Sequence, residues 1–266
     1  MALSTTARVQ STLPSIQTER LSLHYDRALA FSEVSLPIPA GEITALVGPS
    51  GCGKSSFLSC LNRLSDIVPK TRVSGKVYLD ETDIFDRAID PIALRRRVGT
   101  IFQRPNPFPF SIWKNLAFPL REHGVKNRDR IDEIIESTLQ DVGLWHEVKD
   151  RLQTSALALS GGQQQRLCMA RALVLQPQVL LLDEPCSALD PISSGVVEDL
   201  IASLRGRYTI AIVTHNLAQA RRIADFVALF WVQEGAGRLV ERGRRQQIFE
   251  APQQELTKAY VNGIRG

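Results

Sequence analysis

Lys54 is preceded by three closely spaced glycines, Gly48, Gly51 and Gly53, and followed by two hydroxyls, Ser55 and Ser56. The full stretch, Gly48-Pro49-Ser50-Gly51-Cys52-Gly53-Lys54-Ser55-Ser56, has the form G-x-x-x-x-G-K-[ST]. Glycines let backbone N–H groups converge on phosphate oxygens with no Cβ in the way. Lys54 can then reach β- and γ-phosphates, and the Ser55 hydroxyl can ligate Mg²⁺. The chemistry is therefore binding of a nucleoside triphosphate. A second group is the acidic pair Asp183-Glu184, which ends the apolar run Val179 to Leu182. Asp183 is suited to hold Mg²⁺, directly or through water, opposite Ser55, and Glu184 to orient and polarise an attacking water. A third is Ser160-Gly161-Gly162-Gln163, in which Ser160 is a good helix N-cap and two glycines open an anion-binding helix end. One phosphate loop needs no second phosphate-binding helix in the same chain. The simplest physical account is that this one serves another subunit's nucleotide.

These groups need elements to place them. Ile43 to Val47 reads as a buried strand running into the loop, and Phe57, Leu58, Leu61 and Leu64 give the following helix an apolar face. Val179 to Leu182 and Tyr208 to Val213 are continuous apolar runs, with helical spacing between them from Val196 to Leu204. That order is β-α-β, hence a parallel sheet. Before the loop, alternation around Leu21 to Tyr25 and Val34 to Ile38 predicts antiparallel strands turning near Asp26-Arg27. Pro37 and Pro39 predict that the second of these is an edge or ends early. Four prolines at 105, 107, 109 and 119 argue against regular helix or central strand between Arg104 and Leu120. Helical spacing returns from Asp129 to Val142, and a hairpin from Phe226 to Glu241 turning through Glu234-Gly235-Ala236-Gly237 closes the pattern. The expected fold is α/β: a phosphate-loop NTPase core with a mainly parallel sheet, an antiparallel β subdomain and a helical insertion. Residues 1–15 are expected to be a disordered tail and 16–266 a single domain. Within it, 16–103 and 166–266 form the core and 104–165 the helical part.

Composition narrows the setting. The 266 residues carry a net charge of only +4, spread along the chain, so no nucleic-acid partner is expected. The four cysteines form no CxxC pair and no cluster with histidine, which argues against disulfides and structural zinc and for a reducing cytoplasm. A redox role for Cys52 or Cys186 would need a lowered thiol pKa. No apolar run reaches the roughly 18 residues of a membrane span, so any membrane role must come through a partner.

The motifs LSGGQQQR at 159–166, GPSGCGKS and LLLDEP, in this order, resemble the ATPase cassette of ABC transporters over nearly the whole chain from Ile16. The resemblance implies roles that spacing alone only permits: Tyr25 stacking on adenine, Gln103 at the Mg²⁺ and the attacking water, and His215 at the γ-phosphate. It narrows to the ATP-binding subunits of bacterial phosphate importers through VGTIFQRPNPFPFSIWKNLAF, LNRLSDIVPKTRVSG, LSGGQQQRLCMARAL and the ending AYVNGIRG. Two positions depart from the pattern: Ser56 stands where Thr is usual, keeping the hydroxyl, and Cys186 stands where Thr is usual, losing one.

The resemblance implies a homodimer that sandwiches two ATP molecules between one copy's loop and the other's Ser160-Gly161-Gly162. It also implies two integral-membrane permease subunits, an indirect phosphate-binding protein, and a peripheral place on the cytoplasmic face of the bacterial inner membrane. Phe108, Phe110 and Trp113 are expected either to dock the permease or to fill the helical insertion. Alternatives are an importer of another solute, such as an amino acid, and a soluble non-transport relative. DNA-associated relatives insert a long coiled coil between loop and signature, whereas only 106 positions separate Lys54 from Ser160.

Overall fold

The computed structural model describes residues 15–264. The expected disordered tail therefore falls, for 1–14, outside the described residues, as do the last two of the AYVNGIRG ending. Ser15 itself is hydrogen-bonded: its N–H donates to Asp80 Oδ1 at 3.1 Å and its carbonyl accepts from the Asp80 N–H at 2.9 Å.

Among the described residues eleven strands form one sheet. They are β1 (Ile16–Tyr25), β2 (Ala28–Val34), β3 (Pro37–Ile38), β4 (Ile43–Val47), β5 (Thr71–Leu79), β6 (Thr82–Asp83), β7 (Val98–Ile101), β8 (Val179–Asp183), β9 (Thr209–Val213), β10 (Phe226–Gln233) and β11 (Ala236–Arg244). The order is β6-β5-β1-β2-β11-β10-β4-β9-β8-β7, with β3 pairing off this path on β1. The run from β10 through β4, β9 and β8 to β7 is parallel. The β1, β2, β5 and β6 end is antiparallel. A single parallel pairing, Phe31 opposite Gly237, joins the two halves. β2 is thus no edge strand, but it does end early, at Val34, before the prolines.

The helices are α1 (Lys54–Cys60), α2 (Pro91–Arg97), α3 (Ile112–Glu122), α4 (Arg128–Asp141), α5 (Trp145–Val148), α6 (Gly161–Leu173), α7 (Pro191–Ser203), α8 (Leu217–Ile223), α9 (Arg245–Glu250) and α10 (Glu255–Val261). None is long and apolar enough to cross a membrane. β4, β8 and β9 are apolar because α helices cover the parallel sheet on both sides, leaving them buried along nearly their whole length. One apolar cluster joins this sheet to α3, α4 and α6; the other lies between α1 and the antiparallel strands, around Phe31, Phe57 and Phe230.

Three expectations need correcting. The proline-rich stretch does contain regular helix: α3 is capped by Ser111, whose Oγ accepts from the Lys114 N–H at 3.1 Å, and it carries Pro119 inside. One proline near a helix end removes a single i→i−4 bond, and the buried face of Ile112, Trp113, Leu116 and Leu120 outweighs that loss. The last hairpin turns on Glu234 and Gly235 alone, with Ala236 and Gly237 already in β11. The boundary drawn after 165 falls inside α6, which runs on continuously from the helical part into the core.

Candidate nucleotide site

Register places the site. Leu46 of β4 lies opposite Val213 of β9, and Val213 opposite Asp183 of β8; Ile101 of β7 lies opposite Leu182. The carboxyl ends of four neighbouring strands therefore stop at one level. The next residues out are Gly48, Glu184, Thr214-His215 and Phe102-Gln103. Ligands in open α/β sheets bind at this end.

The loop from Gly48 to Gly53 wraps the Lys54 ammonium. Lys54 is 5% exposed, and its Nζ donates to the carbonyls of Gly48 and Pro49, each at 2.7 Å. Gly48 and Gly53 take φ values of +140° and +87°, and both lack room for a Cβ: one would lie 2.1 Å from the Phe230 carbonyl oxygen, the other 2.8 Å from that of Ala30. Gly51, at φ +80°, has no neighbour within 4 Å. Two glycines are thus demanded by packing beneath the loop, and the third faces open space where a phosphate can enter. Ser50 and Ser55 are exposed, and Ser56 is half-buried.

Ser55 Oγ donates to Asp183 Oδ1 at 2.8 Å. Burial pushes the Asp183 carboxyl up, the Ser55 hydrogen bond pulls it down and neighbouring Glu184 pushes it up, leaving it above the usual carboxylate range. A hydroxyl and a carboxylate this close are the hard oxygen donors that Mg²⁺ takes alongside substrate phosphates, so these residues fit the ion. Among the described residues no cluster of three or more acidic, histidine or cysteine side chains could hold a metal alone. A site completed by phosphates does not need one.

Glu184 gathers the remaining candidates. Its Oε2 accepts from Gln103 Nε2 at 3.2 Å and lies 3.1 Å from His215 Nδ1. Its backbone sits at φ +46°, uncommon outside glycine, and is pinned on both sides. Its N–H donates to the Val213 carbonyl at 3.0 Å, and its carbonyl accepts from the Ser187 N–H and Oγ, each at 3.1 Å. Such strain at the end of a strand is typical of a residue whose side chain must be aimed. A cavity of about 410 Å³ opens beside Glu184, His215 and Ser187.

The other candidates lie elsewhere. Ser160 caps α6 in a reciprocal arrangement with Gln163: Gln163 N–H to Ser160 Oγ at 3.4 Å, Ser160 N–H to Gln163 Oε1 at 3.0 Å. Among the described residues no hydrogen bond or ion pair joins 160–163 to 48–56. Gly161 is exposed, but Gly162 is buried against α7, where a Cβ would lie 2.7 Å from Ser193 Oγ. Gly161 is the more exposed of the two, and the missing Cβ of Gly162 is what lets the helix end pack on α7. Glu147 holds this corner, accepting from Gln163 Nε2 at 2.6 Å and pairing with Arg166 at 2.8 Å. Sequence reasoning missed it, because no spacing links 147 to 163. Tyr25 ends β1 half-buried, on the hairpin whose second strand supplies the Ala30 carbonyl beneath Gly53.

The cysteines are free. Burial pushes the Cys52 thiol up, and pushes that of Cys186 up to about 12, so neither is a reactive thiolate at neutral pH.

A family model described as "ABC transporter" matches residues 31–187. The chain belongs to the ABC transporter family. This ABC protein is 60% identical over 251 residues to the phosphate import ATP-binding protein PstB 1 of Nitrosococcus oceani, covering 94% of this chain and 91% of that one. Its fold is similar to that of cbiO1 from Clostridium perfringens, described as part of the ABC transporter complex cbiONQ. The TM-score is 0.75 with 26% identity, over 96% of this chain and 95% of that. It also superposes on a bacterial Atm1-family ABC exporter solved with ATP bound, with a TM-score of 0.76 and 24% identity. There it covers 95% of this chain and 42% of the longer exporter.

Proposed function

We propose that this chain is the ATP-hydrolysing subunit of a phosphate importer. It works as a homodimer beneath two integral-membrane permease subunits on the cytoplasmic face of the bacterial inner membrane. The observation that carries the catalytic part is the convergence of Gln103 and His215 on one oxygen of Glu184, beside the Ser55–Asp183 pair. The solute is supported by the 60% identity to a phosphate import protein.

The Lys54 ammonium donates to two neutral carbonyls. Phosphate oxygens are charged acceptors and make stronger bonds, so Lys54 exchanges loop carbonyls for the β- and γ-phosphates when ATP enters. Ser55 and Asp183, with Gln103 as a further candidate ligand, would hold the Mg²⁺ that accompanies ATP, and the ion would supply charge neutralisation at the phosphate oxygens. Glu184 orients and polarises the attacking water, its carboxylate kept in place by Gln103 and His215. Tyr25 stacks on adenine.

Ser160, Gly161 and Gln163 are exposed or half-buried and have no partner in their own phosphate loop, which suits completion of the partner copy's site. Gly162 keeps the helix end close to α7. Shared between two chains, the γ-phosphate acts as adhesive, and hydrolysis reopens the dimer. Phe108, Phe110 and Phe118 form an aromatic group with centroids 5.8 to 6.3 Å apart. Beside them runs a groove of about 240 Å³ lined by Arg95, Arg96 and Arg171. This face suits a permease helix, each aromatic contributing about 1.5–3 kcal/mol when covered.

The test is purification of the chain from its native membrane with its partners. Recovery of a permease pair that works with a phosphate-binding protein is the expected result; a permease serving an amino-acid-binding protein would overturn the solute and leave the ATPase reading standing.

A further inference from the structure

Among the described residues β7 is the last strand of the sheet and pairs with β8 alone, yet its end carries Gln103 to the site. One edge of β7 has no neighbouring strand to hold it in register. The hold comes from the far end of the helix that follows the phosphate loop. Asn62, two residues past α1, is only 2% exposed. Its Nδ2 donates to Thr100 Oγ1 at 2.7 Å and to the Val98 carbonyl at 3.4 Å. Its Oδ1 accepts from the Leu64 N–H at 3.2 Å. The amide can sit only one way round, because the Val98 carbonyl only accepts and the Leu64 N–H only donates.

Arg95 of α2 closes the arrangement. Its guanidinium donates to the Arg63 carbonyl at 2.6 Å and to the Asn62 carbonyl at 3.3 Å. Since α2 runs straight into β7, this second tie holds the start of the strand against the same turn. From the other face of the sheet Gln165 of α6 reaches the Phe102 carbonyl at 3.5 Å, a longer and weaker contact. α1 thus has a polar anchor at each end: Ser55 on Asp183 at 2.8 Å, and Asn62 on Thr100. Between them Phe57, Leu58 and Cys60 are buried, so the helix is a rigid spacer. It sets the end of β8, with Asp183 and Glu184, against the end of β7, from which Gln103 starts.

We propose that Asn62 is a positioning residue for ATP hydrolysis, acting through Thr100 and β7 on Gln103, given the reading of Gln103 as the group beside the Mg²⁺ and the attacking water. By fixing β7 against α1 it keeps the Gln103 amide 3.2 Å from Glu184 Oε2. Lys54 and the phosphate loop lie at the opposite end of α1 and do not depend on this tie. Loss of the tie therefore falls on the chemical step and spares nucleotide binding.

The experiment measures KM and kcat for ATP hydrolysis by the full chain. Thr100→Val removes the hydroxyl that Asn62 donates to while keeping the shape of the side chain, and Thr100→Ser keeps the hydroxyl. Thr100→Val should lower kcat roughly three- to tenfold with KM for Mg·ATP within about twofold, and Thr100→Ser should stay near wild type. Asn62→Ala is the second variant and should act in the same direction. A double-mutant cycle with Gln103→Ala decides between positioning and general support. Once Gln103 is gone, Thr100→Val should change kcat by less than about twofold. An equal loss with and without Gln103 marks general loosening of the sheet and overturns the proposal, as does a raised KM with kcat unchanged. Wild-type turnover in Gln103→Ala alone is a separate outcome: it removes the reading of Gln103, and the role of Asn62 with it.

Discussion

His215 Nδ1 lies 3.1 Å from Glu184 Oε2, the same oxygen that accepts from Gln103 at 3.2 Å. One carboxylate oxygen is thus held from two strands, β7 and β9, leaving Oε1 for a water. Glu184→Gln keeps the shape of the side chain and removes the charge. The expected outcome is tight ATP binding, a dimer that persists on gel filtration, and turnover reduced by about 10²–10⁴-fold. Wild-type turnover in this variant would sink the assignment.

The parts legible in the sequence are those whose geometry is local. The phosphate loop follows from consecutive residues, and the apolar runs at 43–47, 179–182 and 208–213 announce a buried parallel sheet. Once those strands are neighbours, their carboxyl ends bring Ser55, Gln103, Asp183, Glu184 and His215 together. What was not legible depends on contacts between distant segments. That Gly162 also has to lack a side chain for α6 to pack on Ser193 is not visible in the motif. Trp113 sat among prolines that argued against helix, and only the burial of one face of α3 overrules them.

Glu147 yields a pH-dependent prediction. Burial pushes its carboxyl up, but hydrogen bonds from Gln163 and Arg166 and the Arg166 charge outweigh this, so it sits below the usual range. A carboxyl with a lower pKa folded than unfolded stabilises the protein above the ordinary carboxylate pKa. That contribution is lost as pH falls through the lowered value. The side chain is 40% exposed, so screening keeps the effect small. Glu147→Gln should lower the melting temperature by about 1–3 °C at neutral pH. The gap from wild type should close as the pH is taken down through the carboxylate range; a constant gap across that titration would show that the charge is not what matters.

The two signature glycines should separate in opposite ways. At Gly162 a methyl group would sit 2.7 Å from Ser193 Oγ and 2.8 Å from Ser193 Cβ. Ser193 cannot retreat cheaply, because its N–H is held by Asp190 Oδ1 at 3.0 Å in the first turn of α7. Gly162→Ala should therefore cost about 1–3 kcal/mol of stability, measured by denaturant unfolding. At Gly161 the nearest atom to an added Cβ is Leu189 Cδ2 at 3.7 Å, an ordinary contact. Gly161→Ala should unfold within about 0.5 kcal/mol of wild type while losing ATP-dependent dimerisation on the Glu184→Gln background. Equal unfolding curves for the two variants would contradict the division of labour.

The aromatic residues of the former docking candidate divide by burial. Trp113 is 7% exposed, donates through Nε1 to Asp132 Oδ1 at 2.5 Å, and has the Arg128 guanidinium 4.2 Å from its ring centroid. It fills the helical part of the chain, so Trp113→Ala should destabilise by about 3–5 kcal/mol. Phe118 is 40% exposed and Phe108 36%, both on the rim of the groove with Arg171, whose guanidinium lies 4.2 Å from the Phe108 ring centroid. Phe118 is already 40% exposed and packs on Phe108 and Phe110, so in the isolated chain Phe118→Ala should cost only about 1–2 kcal/mol, less than Trp113→Ala. In a complex that covers the groove the same truncation removes a central anchor, for which losses of 2 kcal/mol or more are usual at such positions. Co-purification with the membrane subunits is the measurement. Retention of Phe118→Ala in the complex at wild-type yield would move the docking surface away from this groove.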